Sequence, residues 1–359
     1  MSSPESRPST PPADFAKRNP NAGAPVSRFG SPKPTGAEPR TPNPAPSPFT
    51  LSPLGRGQGE GSFRSGYVSL VGRPNVGKST LLNRLVGQKL AIVSPRPQTT
   101  RNRILGVKHL PHAQMIFIDT PGLHEPRGAF GQLMMKTALR SLEEVDVVCF
   151  IADASVDLDA ADEMTLKTLA PLRVPVICCL NKVDLVAHKA EILPRIAAYR
   201  TRYPFQEIIP ISAMEGTNVD RLEEIILEKL PEGPPYFPPG VTTDQPETFF
   251  IAEVIREKIF MLTSQEVPYA CAVKVETVEE RAAPALLYIR AVIAVEQESH
   301  KPILIGQKGQ RLKAIGQAAR QELERFFGIQ VFLDLWVQVR RHWRKDEQAL
   351  RELGFYLRS

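Results

Sequence analysis

The stretch Gly72–Ser79 reads GRPNVGKS and has the spacing of a phosphate-binding loop. It follows a short apolar segment and opens a segment with helical spacing, which is the setting that such a loop requires. Glycines let backbone N–H groups turn toward phosphate oxygens, Lys78 can neutralise those oxygens, and the Ser79 hydroxyl can ligate Mg²⁺. The residues predicted to hold the phosphates are Gly72, Asn75, Val76, Gly77, Lys78, Ser79 and Thr80.

Two later loops carry side chains suited to a guanine base. The stretch 181–184 reads NKVD and the stretch 212–214 reads SAM, and each follows a short apolar run. The Asp184 carboxylate can accept both the N1–H and the N2 amino hydrogens of guanine. Adenine lacks that donor pair, so the carboxylate would be left unpaired against ATP. We expect Asn181 to tie the loops together, the Lys182 stem to cover the base and a backbone N–H of 212–214 to read guanine O6. The predicted base site comprises Asn181, Lys182, Asp184, Ser212, Ala213 and Met214.

Two further segments have the composition of nucleotide-sensing switches. Asp119 follows an apolar run and can hold Mg²⁺ through water, while Gly122 offers an N–H that can sense the γ-phosphate. In the segment 94–103, a threonine hydroxyl would reach Mg²⁺ only when the γ-phosphate is present. Thr99 and Thr100 are both candidates, and an inert surface loop is the alternative. The predicted Mg²⁺ residues are Ser79, Thr99, Thr100 and Asp119.

The position four residues after Asp119 holds Leu123, so no glutamine side chain there can position the attacking water. This departure, with the GRPNVGKS and DTPG spellings, resembles the group of GTPases that contains Era, EngA and TrmE. The resemblance implies that Asn75 helps to bind a K⁺ ion in the role of an arginine finger, beside Mg²⁺ and GTP or GDP. The candidate catalytic residues are Lys78, Asn75, Thr100 and Gly122.

A GxxG stretch, Gly306–Gly309, lies between an apolar helix end and an amphipathic helix start. Two predicted strands precede it and basic residues flank it, a combination that resembles a KH domain of the prokaryotic type (type II). In such a domain the loop lies against single-stranded RNA. A helix–turn–helix corner without a ligand is the alternative. The candidate RNA-binding residues are Lys301, Gly306, Gln307, Lys308, Gly309, Arg311 and Lys313.

The stretch from Leu333 to Phe355, which includes Trp336 and Trp343, closely resembles the tail of Era proteins. The resemblance covers roughly residues 65–357. It implies binding of the 3′ end of 16S ribosomal RNA under the control of GTP, and a role in assembly and maturation of the 30S subunit. Either tryptophan could stack on a base. We expect Trp336 to pack in the sheet, and burial of Trp343 is favoured over stacking.

Short apolar strands alternating with helical segments predict an α/β P-loop GTPase domain with a mostly parallel sheet flanked by helices. The C-terminal pattern predicts a smaller α+β module. Fourteen of the 34 prolines fall within residues 1–65, where aliphatic residues are scarce, which predicts a disordered tail. The predicted boundaries are a Pro-rich tail over 1–63, a GTPase domain over 64–231, a linker over 232–246 and a KH domain over 247–359.

Charge and composition bound the partners and the location. Residues 300–359 carry 12 Lys and Arg against 6 Asp and Glu, which suits a polyanion partner or a solvated helix face. The four cysteines lie in apolar runs, so we expect core thiols in a reducing compartment. No run is long and apolar enough to span a membrane, so we expect a cytoplasmic protein, and we also expect a monomer. Peripheral association with the inner face of the cell membrane and organellar import through the tail stay open. A signalling GTPase whose C-terminal module binds protein or lipid is a competing function, and an ATP-dependent kinase is opposed by Asp184.

Overall fold

The computed structural model describes residues 62–355 apart from 124, 125, 127, 283 and 284. The predicted disordered tail lies outside the described residues, except for its last two positions. The N-terminal module is built on a six-stranded sheet. Its strands are β1 (Arg64–Val71), β2 (Ile104–Leu110), β3 (Ala113–Asp119), β4 (Val147–Asp153), β5 (Val176–Asn181) and β6 (Glu207–Pro210).

The strand order in this sheet is β2-β3-β1-β4-β5-β6, and every neighbouring pair except β2 with β3 is parallel. The helices of this module are α1 (Lys78–Val86), α2 (Gly128–Arg140), α3 (Ala160–Leu169), α4 (Ile192–Arg202) and α5 (Val219–Lys229). Alternate residues of the central strands belong to two separate apolar cores, one packed with α1 and α5 and the other with α2, α3 and α4. The prediction of a mostly parallel sheet flanked by helices is confirmed.

The strand β2 was not predicted from the sequence. It is an edge strand that pairs antiparallel with β3. Polar residues interrupt its apolar pattern because the edge meets other elements: Lys108 pairs with Glu223, and His109 Nε2 lies 2.8 Å from the Val241 carbonyl. An edge strand has one unpaired side, so its polar residues can find partners that a central strand would not allow.

The C-terminal module has a three-stranded sheet in the order β7-β8-β9, with the first pair antiparallel and the second parallel. Helices α6 and α8 pack together against this sheet. The arrangement confirms the predicted α+β module. Its elements are α6 (Glu247–Leu262), β7 (Cys271–Ala282), β8 (Ala285–Val295), α7 (His300–Ile305), α8 (Gln310–Phe327), β9 (Val331–Val339) and α9 (Glu347–Glu352).

The two tryptophans occupy contrasting positions. Trp336 in β9 is 54% exposed and donates its indole N–H to Asp334 at 3.0 Å, so the expectation that it packs in the sheet is wrong. Its side chain stands on the face of the sheet that the helices do not cover. Trp343 is fully buried, stacks on Phe355 and meets the edge of Phe130 in α2. Trp343 therefore anchors the C-terminal module on the N-terminal one, and its burial prevents base stacking.

Cys149, Cys178, Cys179 and Cys271 are all buried free thiols, as expected of core cysteines. Among the described residues, no helix combines the length and the apolar character needed to cross a bilayer.

Candidate functional site

The loop between β1 and α1 has the backbone of a phosphate cradle. Asn75 and Gly77 adopt positive φ angles of 66° and 99°, which turn successive peptide groups in the loop. A Cβ atom at Gly77 would lie 2.3 Å from the side-chain nitrogen of Asn181, so no larger residue fits there. Helix α1 begins at Lys78, and its N-terminal N–H groups face the loop, where they favour an anion.

Lys78 lies inside this cradle and is buried. Its ammonium donates to the carbonyls of Gly72 at 3.0 Å and Arg73 at 2.9 Å. Burial lowers the pKa of Lys78 to about 8, against the opposing attraction of Asp119. A buried cation bonded only to neutral carbonyls is well placed to be stabilised by phosphate oxygens.

Three predicted Mg²⁺ residues meet beside Lys78. Ser79 Oγ donates to Asp119 Oδ2 at 2.6 Å and lies 2.8 Å from Thr100 Oγ1, which is itself 3.3 Å from the same carboxylate oxygen. The other oxygen, Asp119 Oδ1, is buried and has no hydrogen-bond partner, and burial raises the pKa of this carboxyl. The Thr99 hydroxyl does not join this group, because it donates to the Arg96 carbonyl at 2.7 Å.

The segment after β3 passes very close to the phosphate loop. A Cβ atom at Gly122 would lie 2.6 Å from the backbone nitrogen of Pro74, so glycine is required by this close approach. The next residue, Leu123, is buried and its N–H donates to the Gly72 carbonyl at 3.2 Å. Leu123 therefore supports the loop from the interior and presents no polar group to a water molecule.

Asn181 ties three loops together, as the sequence suggested. Its side-chain nitrogen donates to the Val76 carbonyl at 2.7 Å, and its side-chain oxygen accepts from the Ala213 N–H at 2.9 Å. The Ala213 N–H, a candidate reader of guanine O6, is bonded to Asn181 in this structure. Asp184 Oδ1 is buried without a partner. That orphaned acceptor is the feature expected of a carboxylate that receives a ligand's N–H groups.

Sequence reasoning missed two side chains that position these loops. Arg84 in α1 donates from Nε to the Ala213 carbonyl at 3.1 Å and from Nη2 to the Met214 carbonyl. Asp153, the last residue of β4, accepts from Lys182 Nζ at 2.6 Å and fixes the lysine stem. The position of Asp153 at the carboxyl end of a central strand is a signal that could have identified it. Arg84 carries no comparable signal, because a basic residue in the last turn of a helix is common.

These groups surround one cavity of about 390 Å³. Its wall combines the phosphate loop, the segment 92–100, Gly122 and the two base loops, so predicted residues from five separate stretches of sequence line a single site. The predicted residues among the lining are Asn75, Gly77, Lys78, Ser79, Thr80, Thr99, Thr100, Gly122, Lys182 and Met214. Ser212 is fully buried behind the cavity and caps the turn that follows it, accepting from the Glu215 N–H at 3.0 Å.

The GxxG stretch forms a tight corner between α7 and α8. Gly306, Lys308 and Gly309 all have positive φ angles, of 75°, 48° and 78°. The side chains of Gln307 and Lys308 are exposed, as are those of Arg311 and Lys313 in the first turn of α8, while Lys301 is half-buried. Arg311 also donates from Nη1 to the Ile303 carbonyl in α7. A loop with small residues at both corners and cations at its tip allows a phosphate backbone to approach closely.

A groove of about 460 Å³ runs from this corner between α8 and β9. Leu312, Leu333 and Leu335 form an apolar floor, and Lys313 and Arg320 stand at its edge. Sequence reasoning had not assigned Arg320, Leu333 or Leu335 to a site. The spacing of Lys313 and Arg320 on one helix face was the available signal.

Comparison with known protein families agrees with this two-part architecture. Residues 67–182 match a family described as 50S ribosome-binding GTPase, and residues 266–344 match the KH domain family. The first match covers the phosphate loop through Lys182, and the second covers the GxxG corner and β9.

Individual relatives match over almost their whole length. GTPase Era of Geobacter metallireducens is 51% identical over 82% of this chain and 98% of its own length. GTPase Era of Geotalea uraniireducens is also 51% identical, over 82% and 99%. A crystal structure of an Aquifex aeolicus Era variant bound to GDP and AlF4⁻ is 46% identical, with a TM-score of 0.80, over 82% of this chain and 100% of that one. An Era structure in complex with MgGDPNP and nucleotides 1506–1542 of 16S ribosomal RNA gives the same values. At half-identical sequence over nearly the full length of such relatives, the chain belongs to the Era family of GTPases.

Proposed function

We propose that this GTPase binds the 3′ end of 16S ribosomal RNA through its KH domain and assists assembly and maturation of the 30S subunit. The observation that carries the proposal is a relative of the same fold, 46% identical, in complex with nucleotides 1506–1542 of that RNA. The GxxG corner with its exposed cations and the groove beside it supply the chemistry that single-stranded RNA requires. For the competing hypothesis, a protein-binding or lipid-binding module, the described residues show no comparable supporting feature.

In the proposed nucleotide site, each loop has a separate task. The amides of the phosphate loop and Lys78 hold the triphosphate, and Asp184 accepts the N–H groups of guanine. Asn181 keeps the two regions in register through its bonds to Val76 and Ala213. Ser79, Thr100 and Asp119 would hold Mg²⁺, which supplies neutralisation of the phosphate charge. The donor set fits this ion, because Mg²⁺ prefers oxygen ligands and Asp119 Oδ1 is buried without a partner. The geometry favours Thr100 over Thr99 for this task.

We propose that the Gly122 N–H senses the γ-phosphate, and the position of Gly122 after Asp119 and against the phosphate loop supports this role. With Leu123 buried, no side chain at that position orients the attacking water. We propose that Asn75 helps to hold K⁺, which supplies positive charge near the phosphates. Asn75 lies at the open side of the loop and donates to the Pro95 carbonyl at 2.9 Å, so it already joins the phosphate loop to the segment 93–101.

The potassium proposal is tested by measuring GTP hydrolysis in K⁺ and in Na⁺ at equal ionic strength. We expect faster turnover in K⁺ for the wild type and loss of that difference for Asn75→Ala. A general disturbance of the loop would lower both rates together, so the ratio of the two rates isolates the ion. Equal wild-type rates in both salts would contradict the proposal.

The RNA proposal is tested by direct binding of a fragment that spans nucleotides 1506–1542 of 16S ribosomal RNA, with a scrambled fragment of equal length as the control. We expect selective binding that weakens steeply with salt, because phosphate contacts dominate affinity. Equal affinity for both fragments would refute the proposed target.

A cytoplasmic location and a monomeric state belong to the same proposal, and fractionation of cells and light scattering of the purified protein test them.

A further inference from the structure

The switch segment, defined as residues 93–101, is bonded near both ends to helix α6 of the C-terminal module. At its start, the Val93 N–H donates to Glu257 Oε1 at 3.0 Å. Toward its end, the Thr99 carbonyl accepts from Arg256 Nη2 at 2.5 Å. Arg256 and Glu257 are consecutive residues, so a single turn of α6 reaches two points of the switch segment that are six residues apart.

The last residue of the switch segment, Arg101, enters the C-terminal module itself. Its guanidinium donates from Nη1 to the Cys271 carbonyl at 2.6 Å and from Nη2 to the Pro268 carbonyl at 2.9 Å. It also lies 5.6 Å from the ring centres of both Phe130 and Phe260. A planar cation held by carbonyls in one direction and by aromatic rings in the others has little freedom to move.

The charged side chains that make these contacts are withdrawn from water. Arg256 is 1% exposed, Glu257 is 2% exposed and Arg101 is 4% exposed. Burying a charge carries a desolvation cost comparable to the gain from its partners, so apolar packing alone would join two domains at least as well. Arg256 is paired with Glu253, and Glu257 is paired with both Lys89 and Lys258. Because the remaining bonds of Arg256 and Glu257 go to the backbone of the switch segment, these charges fix a conformation in addition to joining the modules.

Thr100 lies between two of these attachments. The carbonyl of the residue before it is held by Arg256, and the side chain of the residue after it is held by the C-terminal module. We propose that Arg256 and Glu257 are positioning residues for GTP hydrolysis, which hold the switch segment so that the Thr100 hydroxyl stays beside Ser79 and Asp119. This inference rests on the proposed role of Thr100 toward Mg²⁺. It makes the C-terminal module part of the hydrolytic machinery even without RNA.

The test uses the full chain, two variants of α6, a matched control and Thr100→Ala as a reference. The first is Arg256→Met with Glu253→Gln, which removes the contact to Thr99 without leaving an unpaired buried carboxylate. The second, Arg256→Lys, keeps the charge and one donor. The matched control is Arg344→Met with Glu296→Gln, a pair bonded at 2.7 Å within the C-terminal module. For each, GDP affinity and the Mg²⁺ dependence of single-turnover GTP hydrolysis are measured.

We expect the first variant to keep its GDP affinity within twofold, since the base and phosphate loops are untouched. The Mg²⁺ concentration for half-maximal hydrolysis should rise about 10-fold or more, because a displacement of about 1 Å in a ligand can have an effect of that size. Arg256→Lys should recover part of the loss, and the control should match the wild type. Amide hydrogen exchange of residues 93–101 should accelerate only in the variants that alter α6.

Two outcomes overturn the inference. If the Arg256 double variant hydrolyses GTP with wild-type Mg²⁺ dependence while Thr100→Ala does not, the proposed role of Thr100 stands and the positioning role of α6 fails. If Thr100→Ala itself leaves the Mg²⁺ dependence unchanged, the proposed function of Thr100 fails and the inference falls with it. Should the double variant not fold, Glu257→Met decides by the same measurements, because it removes the acceptor of the Val93 N–H.

Discussion

The nucleotide site and the GxxG corner are both built to bind phosphates, but they are constructed in opposite ways. In the nucleotide site, polar side chains are buried and hydrogen-bonded to neighbouring loops, as in the contacts of Asn181 with the Val76 carbonyl and the Ala213 N–H. At the GxxG corner, Lys308 and Arg311 are exposed and the groove beside them is open. The first arrangement selects one base, and the second accepts a flexible strand.

From this difference we expect base specificity at the nucleotide site and salt sensitivity at the GxxG corner. A buried acceptor such as Asp184 Oδ1 discriminates strongly, because the wrong base leaves it unpaired in a medium of low dielectric. Exposed cations contribute mostly through release of counterions, which depends on salt and little on sequence. The sites should therefore respond separately to substitution.

A substitution in the base loop should change nucleotide affinity the most. Asp184→Asn should weaken GDP and GTP binding about 1000-fold or more, because the amide places a donor opposite the guanine amino group. The same amide can donate to the O2 carbonyl of xanthine, so the affinity for xanthosine diphosphate (XDP) should rise. Calorimetric titration with GDP, XDP and ADP checks both, and unchanged GDP affinity would remove Asp184 from the site. Asp220→Asn, an exposed position in α5, serves as the control.

A second large effect is expected at the GxxG corner. Gly306→Asp with Gly309→Asp should lower RNA affinity about 100-fold by combining like charge with a strained backbone at φ angles of 75° and 78°. GDP affinity should not change. Gly328→Asp places the same strain, at φ 70°, at the far end of α8 and should leave RNA binding intact. Filter binding with the 16S fragment distinguishes these outcomes, and loss of binding in Gly328→Asp as well would point to misfolding instead.

A smaller effect should follow loss of the loop tie. Asn181→Ala breaks two buried hydrogen bonds and leaves the Val76 carbonyl and Ala213 N–H unpaired, so GDP affinity should fall about 10- to 100-fold. Asn218→Ala removes a comparable side-chain bond to Pro210 outside the cavity and should have little effect. RNA affinity should not change in either variant, and a fall in RNA affinity on Asn181→Ala would break the separation of the two sites.

The smallest predicted change is the dependence of GDP affinity on pH. The pKa of Lys78 is lowered to about 8 without nucleotide, and bound phosphate should raise it again, so binding above pH 8 requires uptake of a proton. GDP affinity should therefore be highest below pH 8 and fall about fourfold between pH 7 and pH 8.5. Lys78→Arg keeps its proton and should lack this dependence. Titrations in buffers of different ionisation enthalpy measure the uptake, and a flat profile for the wild type would contradict the burial argument.

Sequence predicted the parts of the molecule that rest on local motifs. The phosphate loop, the NKVD stretch and the GxxG corner were found because their chemistry demands fixed spacings, and the parallel strands because they contain short apolar runs. The edge strand β2 was missed because its polar residues bond to distant elements. The exposure of Trp336 was also mispredicted, since spacing does not reveal which face of a sheet is covered.

Contacts between the modules were beyond sequence reasoning for a related reason. Arg101 and Arg256 read as ordinary surface cations, and only the folded chain brings one to the carbonyls of Pro268 and Cys271 and the other to Thr99. Such long-range pairing has no signature in local composition. The groove beside α8 depends in the same way on the approach of β9 to a helix that precedes it in the chain.

The most direct test of an RNA-linked GTPase is crosslinking of the protein to RNA in living cells, followed by sequencing of the recovered RNA. We predict reads concentrated at the 3′ end of 16S ribosomal RNA for the wild type, and their loss in the Gly306→Asp, Gly309→Asp variant. Recovery of large-subunit RNA, or of no ribosomal RNA above background, would contradict the account.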